Sequence, residues 1–144
     1  MAIPTNIKTL LSGDVVEWAR IEYKETWDAA ASLKTICAFA NDLDNWGGGY
    51  IVIGVKENNG RPTYPLKGVS TDKLDAYQKS IYAKCKLIRP SYTPIISVER
   101  YQDKQFIVIW CPGGDSRPYS SPKTMGKDNK ERIHYIRKAS NTVE

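Results

Sequence analysis

The stretch Gly47-Gly-Gly-Tyr-Ile-Val-Ile-Gly-Val55 decides the fold of this chain of 144 residues. From Tyr50 onwards it is a continuous run of apolar, mostly β-branched residues, which is typical of a strand buried on both faces. The glycines before the run permit a tight turn into the strand. We therefore expect a sheet that has helices packed on it.

Helical periodicity lies on both sides of this strand. Residues 29–42 repeat apolar side chains at steps of three and four, and Asp28 is a suitable N-cap. Residues 71–86 repeat the pattern, with Ser70 or Thr71 as the cap. The inward-facing residues are Leu33, Ile36, Cys37 and Ala40 in the first helix and Leu74, Tyr77, Ile81 and Cys85 in the second.

Alternating and apolar segments predict the remaining strands, and the last of them should close the sheet. The result is an α/β (α+β) domain with a mixed sheet of about five to six strands and two main helices. The predicted strands are residues 18–25, 50–55, 94–101, 104–111 and 131–138, and a short helix is predicted at residues 5–12.

Length and composition favour a single domain over residues 1–144. The three cysteines have neither disulfide nor zinc spacing, which fits buried thiols in a cytoplasmic protein. The sequence has no signal peptide and no apolar run of the ~18 residues that a membrane span needs. The net charge is +5, and residues 117–139 hold the whole excess. A concentrated basic segment favours an anionic partner, and a solvated loop is the alternative.

The bend Gly47-Gly48-Gly49 is the first candidate for chemistry. Exposed amides in such a bend can hold a phosphate. The alternative is a purely structural turn between a helix and a strand. The bend matches neither GxxxxGK[ST] nor GxGxxG, so the sequence gives no support for ATP as a cofactor.

Three carboxylates, Glu17, Glu22 and Glu57, are the second candidate. If they converge, they can hold Mg²⁺ or Mn²⁺ for phosphodiester cleavage. The alternative is that they are surface glutamates paired with Lys24 or Lys56.

Basic and aromatic residues late in the chain are the third candidate, because arginine beside an aromatic ring suits phosphate contact with base stacking. An interior tyrosine with ordinary surface cations is the alternative. The residues predicted to bind nucleic acid are Lys24, Gly47, Gly48, Gly49, Arg117, Tyr119, Lys123, Lys127, Lys130, Arg132, Arg137 and Lys138.

Six short motifs follow one another along residues 14–143. They are Glu17-Trp-Ala-Arg-Ile-Glu22-Tyr-Lys24, Ile36-Cys-Ala-Phe-Ala-Asn41, Gly48-Gly-Tyr-Ile-Val-Ile-Gly-Val55, Pro112-Gly-Gly114, Arg117-Pro-Tyr119 and Tyr135-Ile-Arg-Lys-Ala-Ser-Asn-Thr142. In this order they resemble the Schlafen AlbA_2 domain, also called the divergent AAA-4 domain. Residues 42–46 lengthen the turn of that pattern, and Ala139 stands where glycine is common.

The resemblance implies a DNA-binding domain of the kind found at the N-terminus of longer bacterial proteins, described as transcriptional regulators or ATP-binding proteins. It also implies a possible nuclease, because related vertebrate domains cleave RNA with three carboxylates at positions that match Glu17, Glu22 and Glu57. In that branch two lobes form one groove, so a single copy would have to dimerise or act with a further domain.

Three hypotheses follow from these patterns. The leading one is a non-catalytic module that binds DNA or RNA. The second is a ribonuclease dependent on Mg²⁺ or Mn²⁺. The third is a protein-interaction or oligomerisation module, such as a homodimer, within a larger ATP-binding-type protein.

Overall fold

The computed structural model describes residues 5–11, 20–125, 131–138 and 141–144. The helices are α1 (Ile7–Leu11), α2 (Ala29–Asn41) and α3 (Thr71–Cys85). The strands are β1 (Ile21–Lys24), β2 (Gly49–Ile53), β3 (Glu57–Asn58), β4 (Arg61–Pro62), β5 (Ile95–Tyr101), β6 (Lys104–Cys111), β7 (Ser121–Pro122), β8 (Arg132–Ile133), β9 (Ile136–Lys138) and β10 (Asn141–Val143).

A mixed sheet of four strands, ordered β1-β2-β6-β5, lies at the centre of the described residues. β1 and β2 are parallel, with Ile21 opposite Tyr50, and α2 makes the crossover that a parallel pair requires. β6 is antiparallel to both of its neighbours and places Ile109 opposite Ile51. Every residue of β2 is buried. The mixed α/β class and the buried strand are therefore confirmed.

The two faces of the sheet carry separate apolar clusters, because side chains alternate along each strand. Ile51 and Ile53 of β2 join a cluster with α2 and α3, whereas Tyr50 and Val52 join a cluster with α1. Helices thus cover both faces, as a strand apolar on both sides demands.

Helix α2 begins and ends for local reasons. The Asp28 carboxylate accepts a hydrogen bond from the Ala31 amide at 3.3 Å, which caps the helix N-terminus as predicted. At the other end Asp42 takes a left-handed conformation, with φ of 40°, and the chain leaves the helix there. The fixed end of α2 positions the glycine bend that leads into β2.

The segment 131–138 does not close the main sheet, contrary to the prediction. β8 pairs with β7 and β9 pairs with β10, each in a small antiparallel sheet. The predicted alternation is present, since Tyr135 and Arg137 are buried and His134 and Lys138 are exposed. The buried pair packs beside α2, and the Arg137 side chain also contacts β1, but residues 136–138 pair with β10 and not with a strand of the main sheet. The described part of the main sheet therefore has four strands.

The three cysteines all lie in the described part of the chain and are free, buried thiols, as expected. Burial raises the pKa of Cys37 to about 11 and that of Cys85 to about 12, so both stay protonated near pH 7. In the described residues no helix has the length and apolar character that a bilayer crossing requires.

Replacing Asp28 by alanine should lower the free energy of unfolding by about 1 kcal/mol, because α2 loses its N-cap hydrogen bond. Ser70→Ala is the matched control, since the Ser70 side chain makes no capping hydrogen bond at the described start of α3. Urea unfolding followed by circular dichroism measures both variants. Equal losses in the two would contradict the assigned role of Asp28.

Candidate nucleic-acid interface

A buried ion pair joins the end of the chain to its first strand. Arg137 Nη1 donates to Glu22 Oε1 at 2.8 Å, and its Nη2 donates to the Ile21 carbonyl at 3.1 Å. The same guanidinium donates to Thr142 Oγ1 at 3.2 Å and lies 5.3 Å from the centre of the Phe39 ring. Arg137 is 5% exposed and Glu22 is 9% exposed. β9 is thereby fixed against β1 and α2.

This pair corrects two expectations from the sequence. Glu22 is buried, although the alternation in β1 predicted that it faces solvent, because Arg137 and its strand cover it. Arg137 was predicted to contact phosphate, and its guanidinium is instead directed into the protein interior. Lys24 Nζ lies 3.8 Å from the second oxygen of Glu22 and is partly exposed.

The predicted metal site is only partly described. Glu22 is held by Arg137, and Glu57 is an exposed residue of β3 whose carboxylate accepts a hydrogen bond from the Gly60 amide at 2.9 Å. Glu17 lies outside the described residues. Across residues 5–11, 20–125, 131–138 and 141–144 no group of three acidic, histidine or cysteine side chains is placed to hold a metal. The nuclease site therefore stays a prediction.

The glycine bend serves close packing. A side-chain carbon at Gly48 would overlap the Cys111 carbonyl, and one at Gly49 would overlap the Phe39 ring. Gly47 is exposed, but its amide donates to the Asp42 carboxylate at 3.1 Å, as the Trp46 amide does at 2.8 Å. A carboxylate of the protein itself thus occupies the place where an anion was predicted to bind.

Arg117 and Tyr119 have structural partners. Arg117 is exposed, and its Nη1 donates to the Asp42 carbonyl at 3.2 Å and to Asn45 Oδ1 at 3.2 Å. The first of these hydrogen bonds gives a donor to a carbonyl at the C-terminus of α2. Tyr119 is buried, its ring lies edge-on to Tyr92 at 5.3 Å, and its hydroxyl accepts from the Ser116 amide. Tyr119 therefore matches the alternative of an interior tyrosine and is not placed to stack on a base.

Two arginines lie together where α3 ends. Arg132 donates from Nε to Ser120 Oγ at 2.8 Å and from Nη2 to the Leu87 carbonyl at 2.6 Å. Arg89 pairs with Ser120 through two backbone hydrogen bonds. The pKa of Arg132 is lowered, first by burial and then by repulsion from Arg89. The Arg89 guanidinium donates to the carbonyls of Lys86 and Ile88. Carbonyl groups thus hold two like charges close together on the surface, an arrangement that an anion would stabilise.

Two lysines extend this patch. Lys123 follows β7, is exposed, and lies 3.6 Å from the Glu131 carboxylate. Lys34 of α2 has its Nζ 5.5 Å from the centre of the Tyr135 ring and shares a hollow of about 200 Å³ with Lys123. Pro122, next to Lys123, is paired with Arg132 across β7 and β8. We call Lys34, Arg89, Lys123 and Arg132 the C-terminal basic surface.

The other predicted cations have mixed positions. Lys138 is exposed at the end of β9, and Lys127 and Lys130 lie outside the described residues. Lys34 and Arg89 were not among the residues predicted to bind nucleic acid. Lys34 was overlooked because it lies between inward-facing positions of α2. Arg89 lies more than 40 residues from Arg132 in the sequence, and only the bridge between Arg89 and Ser120 shows that the two arginines are neighbours.

The fold and this surface define a mixed α/β domain with a basic face formed by α2, the segment after α3 and the C-terminal segments. The family model of Schlafen, AlbA_2 matches residues 17–144. The chain belongs to the Schlafen AlbA_2 family, as its motifs indicated.

Two solved structures share the fold. One is the N-terminal domain of a RecG-related protein from Nitrosomonas europaea, with 25% identity, a TM-score of 0.69, and coverage of 97% of this chain and 92% of that one. The other is the DIP2311 protein from Corynebacterium diphtheriae, with 13% identity and a TM-score of 0.59. That match covers 96% of this chain but 25% of the other, and it shows the fold alone. The search of curated proteins gave no match.

Replacing Arg137 by methionine should lower the free energy of unfolding by about 3–5 kcal/mol, because Glu22 would be left buried without its partner. Combining it with Glu22→Leu should recover much of that loss. Lys24→Met is the matched control and should cost less than about 1 kcal/mol, since that pair is looser and more exposed. Urea unfolding of these three variants and of Glu22→Leu alone gives the four changes that the comparison needs. Strictly additive losses in the double variant would contradict a direct interaction.

Proposed function

We propose that this domain binds nucleic acid, with duplex DNA as the preferred ligand, through the C-terminal basic surface. The observation that carries the proposal is the close pair Arg89 and Arg132, with Lys123 beside it. Carbonyl groups orient Arg132, so the guanidinium would contact a phosphate without losing much side-chain entropy.

The comparisons support DNA as the ligand. The protein from Nitrosomonas europaea is described as related to RecG, an ATP-dependent DNA helicase, and its N-terminal domain shares this fold over nearly the whole chain. The family and the net charge of +5 are consistent with a domain that contacts the phosphate backbone.

The form of the surface indicates how binding would work. Its cations project from one short strand, one helix and two loops, and Tyr119 is buried. Phosphate contacts of this kind position a duplex but do not read its sequence. We therefore propose affinity that depends on charge, with sequence preference supplied by other parts of a longer protein.

A role in the cytoplasm as a module of a transcriptional regulator is the finer form of this proposal. The three buried, free cysteines fit a reducing compartment. The coverage of only 25% of the DIP2311 chain fits use of the fold within longer proteins.

Binding of a short DNA duplex should weaken steeply as salt rises from about 50 to 200 mM, because each neutralised phosphate adds about 0.9 to the slope of log K against log salt. Lys34→Gln with Lys123→Gln should reduce that slope by about two. Fluorescence anisotropy of a labelled duplex measures the slope.

Lys79→Gln is the matched control for Lys123→Gln. Each lysine is exposed and lies within ion-pair distance of one carboxylate, Asp75 for Lys79 and Glu131 for Lys123, but Lys79 belongs to α3 and not to the basic surface. The control should leave the slope unchanged. An affinity that is insensitive to salt, or equal effects of the two lysines, would refute the proposal.

A further inference from the structure

A polar cavity of about 510 Å³ lies at the opposite end of α3 from Arg89. Here β1 and β5 end and β6 begins, and together with residues 67–70 and the start of α3 these three strand ends line one open cavity. The lining residues are Glu25, Thr26, Lys67, Gly68, Val69, Ser70, Thr71, Lys73, Tyr77, Arg100, Asp103, Lys104 and Gln105.

The charge of this cavity is positive. Lys67 Nζ lies 2.6 Å from Glu25 Oε2, so these two charges compensate each other, and the same hydrogen bond lowers the pKa of Glu25. The remaining cations are Lys73, Arg100 and Lys104, with Asp103 as the one further acid in the lining. Within the described residues these three cations lie in none of the ion pairs.

The loop that forms the cavity floor is held in place. The Val69 amide donates to the Gln105 carbonyl at 2.7 Å, and the Gly68 amide donates to the Gly54 carbonyl at 2.8 Å. Gly68 has φ of 71°, and a Cβ there would lie 2.9 Å from Lys104 Cβ. The close approach that glycine allows brings the loop, and Ser70 after it, directly against the start of β6.

The residues that line the cavity favour a ligand with several negative charges. Three cations line it, and the exposed Ser70 hydroxyl is a donor on the same wall, whereas the Thr71 hydroxyl donates to Gln105 Oε1 at 3.4 Å. The Ser70 side chain makes no capping hydrogen bond at the described start of α3, and Ser70 is exposed, so a ligand can reach its hydroxyl. Tyr77 supplies a half-buried ring on one side. The volume lies within the roughly 300–1,000 Å³ of small-molecule sites and exceeds what one inorganic ion needs.

We propose that this cavity is a binding site for clustered phosphate groups on a small molecule. The three cations would neutralise the charge, and the Ser70 hydroxyl, positioned by the fixed loop, would donate a hydrogen bond. The site is separate from the C-terminal basic surface, because the 15 residues of α3 lie between them and span about 22 Å.

Titration with sodium tripolyphosphate, followed by ¹H–¹⁵N NMR spectra, tests the proposal. We expect saturable shifts in the amides of residues 68–73 and 103–105, and weaker binding of inorganic phosphate. Arg100→Gln with Lys104→Gln should lower the affinity for tripolyphosphate at least roughly tenfold. Lys79→Gln, a lysine of the same helix outside the cavity, should not change it. The spectra report at once whether each variant is folded.

Two further arms identify the source of the phosphate. The first arm compares the affinity of an oligonucleotide with a 5′-phosphate to that of the same oligonucleotide without it. If the ligand is a small molecule, the terminal phosphate should not change the affinity at this site. A preference for the phosphorylated end would overturn that assignment. Shifts that do not saturate, or that are equal in the Lys79→Gln and Arg100→Gln/Lys104→Gln proteins, would overturn the site itself. Duplex DNA binding by the double variant should stay unchanged, which separates this outcome from a failure of the proposed function.

Discussion

The buried contact between Arg137 and Glu22 determines how the last part of the chain lies on the rest of the molecule. β1 is an edge strand of the main sheet, and its buried carboxylate needs a partner. Arg137 supplies that partner together with a ring contact to Phe39 and a hydrogen bond to Thr142. The charges of Arg137 and Glu22 are both buried. The contact is therefore specific, because displacing one of the two leaves the other as a buried charge without this partner.

This contact divides the late cations into two groups. In a strand, neighbouring side chains point to opposite sides, so an inward Arg137 leaves Lys138 outside. Carbonyl groups around Ser120 direct Arg132 beside Arg89, and Lys123 remains on the surface with Glu131. Some of the basic side chains therefore hold the fold together, and others are exposed and can contact a ligand. A count of basic residues in the sequence does not distinguish these two groups.

The sequence predicted the elements that local patterns define. Residues 29–41 carry both the apolar stripe and the Asp28 cap, and α2 forms there. The hairpin of β5 and β6 likewise follows from two apolar segments joined at residues 102–103. The position of residues 131–138 was predicted wrongly, because alternation shows that one side is buried but not what buries it. Tyr119 and Arg137 were predicted as ligand contacts because the sequence does not show the distant residues that hold them. The Tyr119 amide donates to Asn41 Oδ1, 78 positions away, and Arg137 pairs with Glu22, 115 positions away.

Arg89, Lys123 and Arg132 together would present a basic surface to nucleic acid on the side where the last part of the chain, held by Arg137, packs on α2. Mapping of a bound DNA duplex by ¹H–¹⁵N NMR tests it most directly. The account predicts that the amide signals of Arg89, Lys123 and Arg132 shift together as duplex is added, and that those of Gly68 and Gln105 stay in place. Shifts confined to the cavity end of α3, with the signals of Arg89 and Arg132 unmoved, would contradict it.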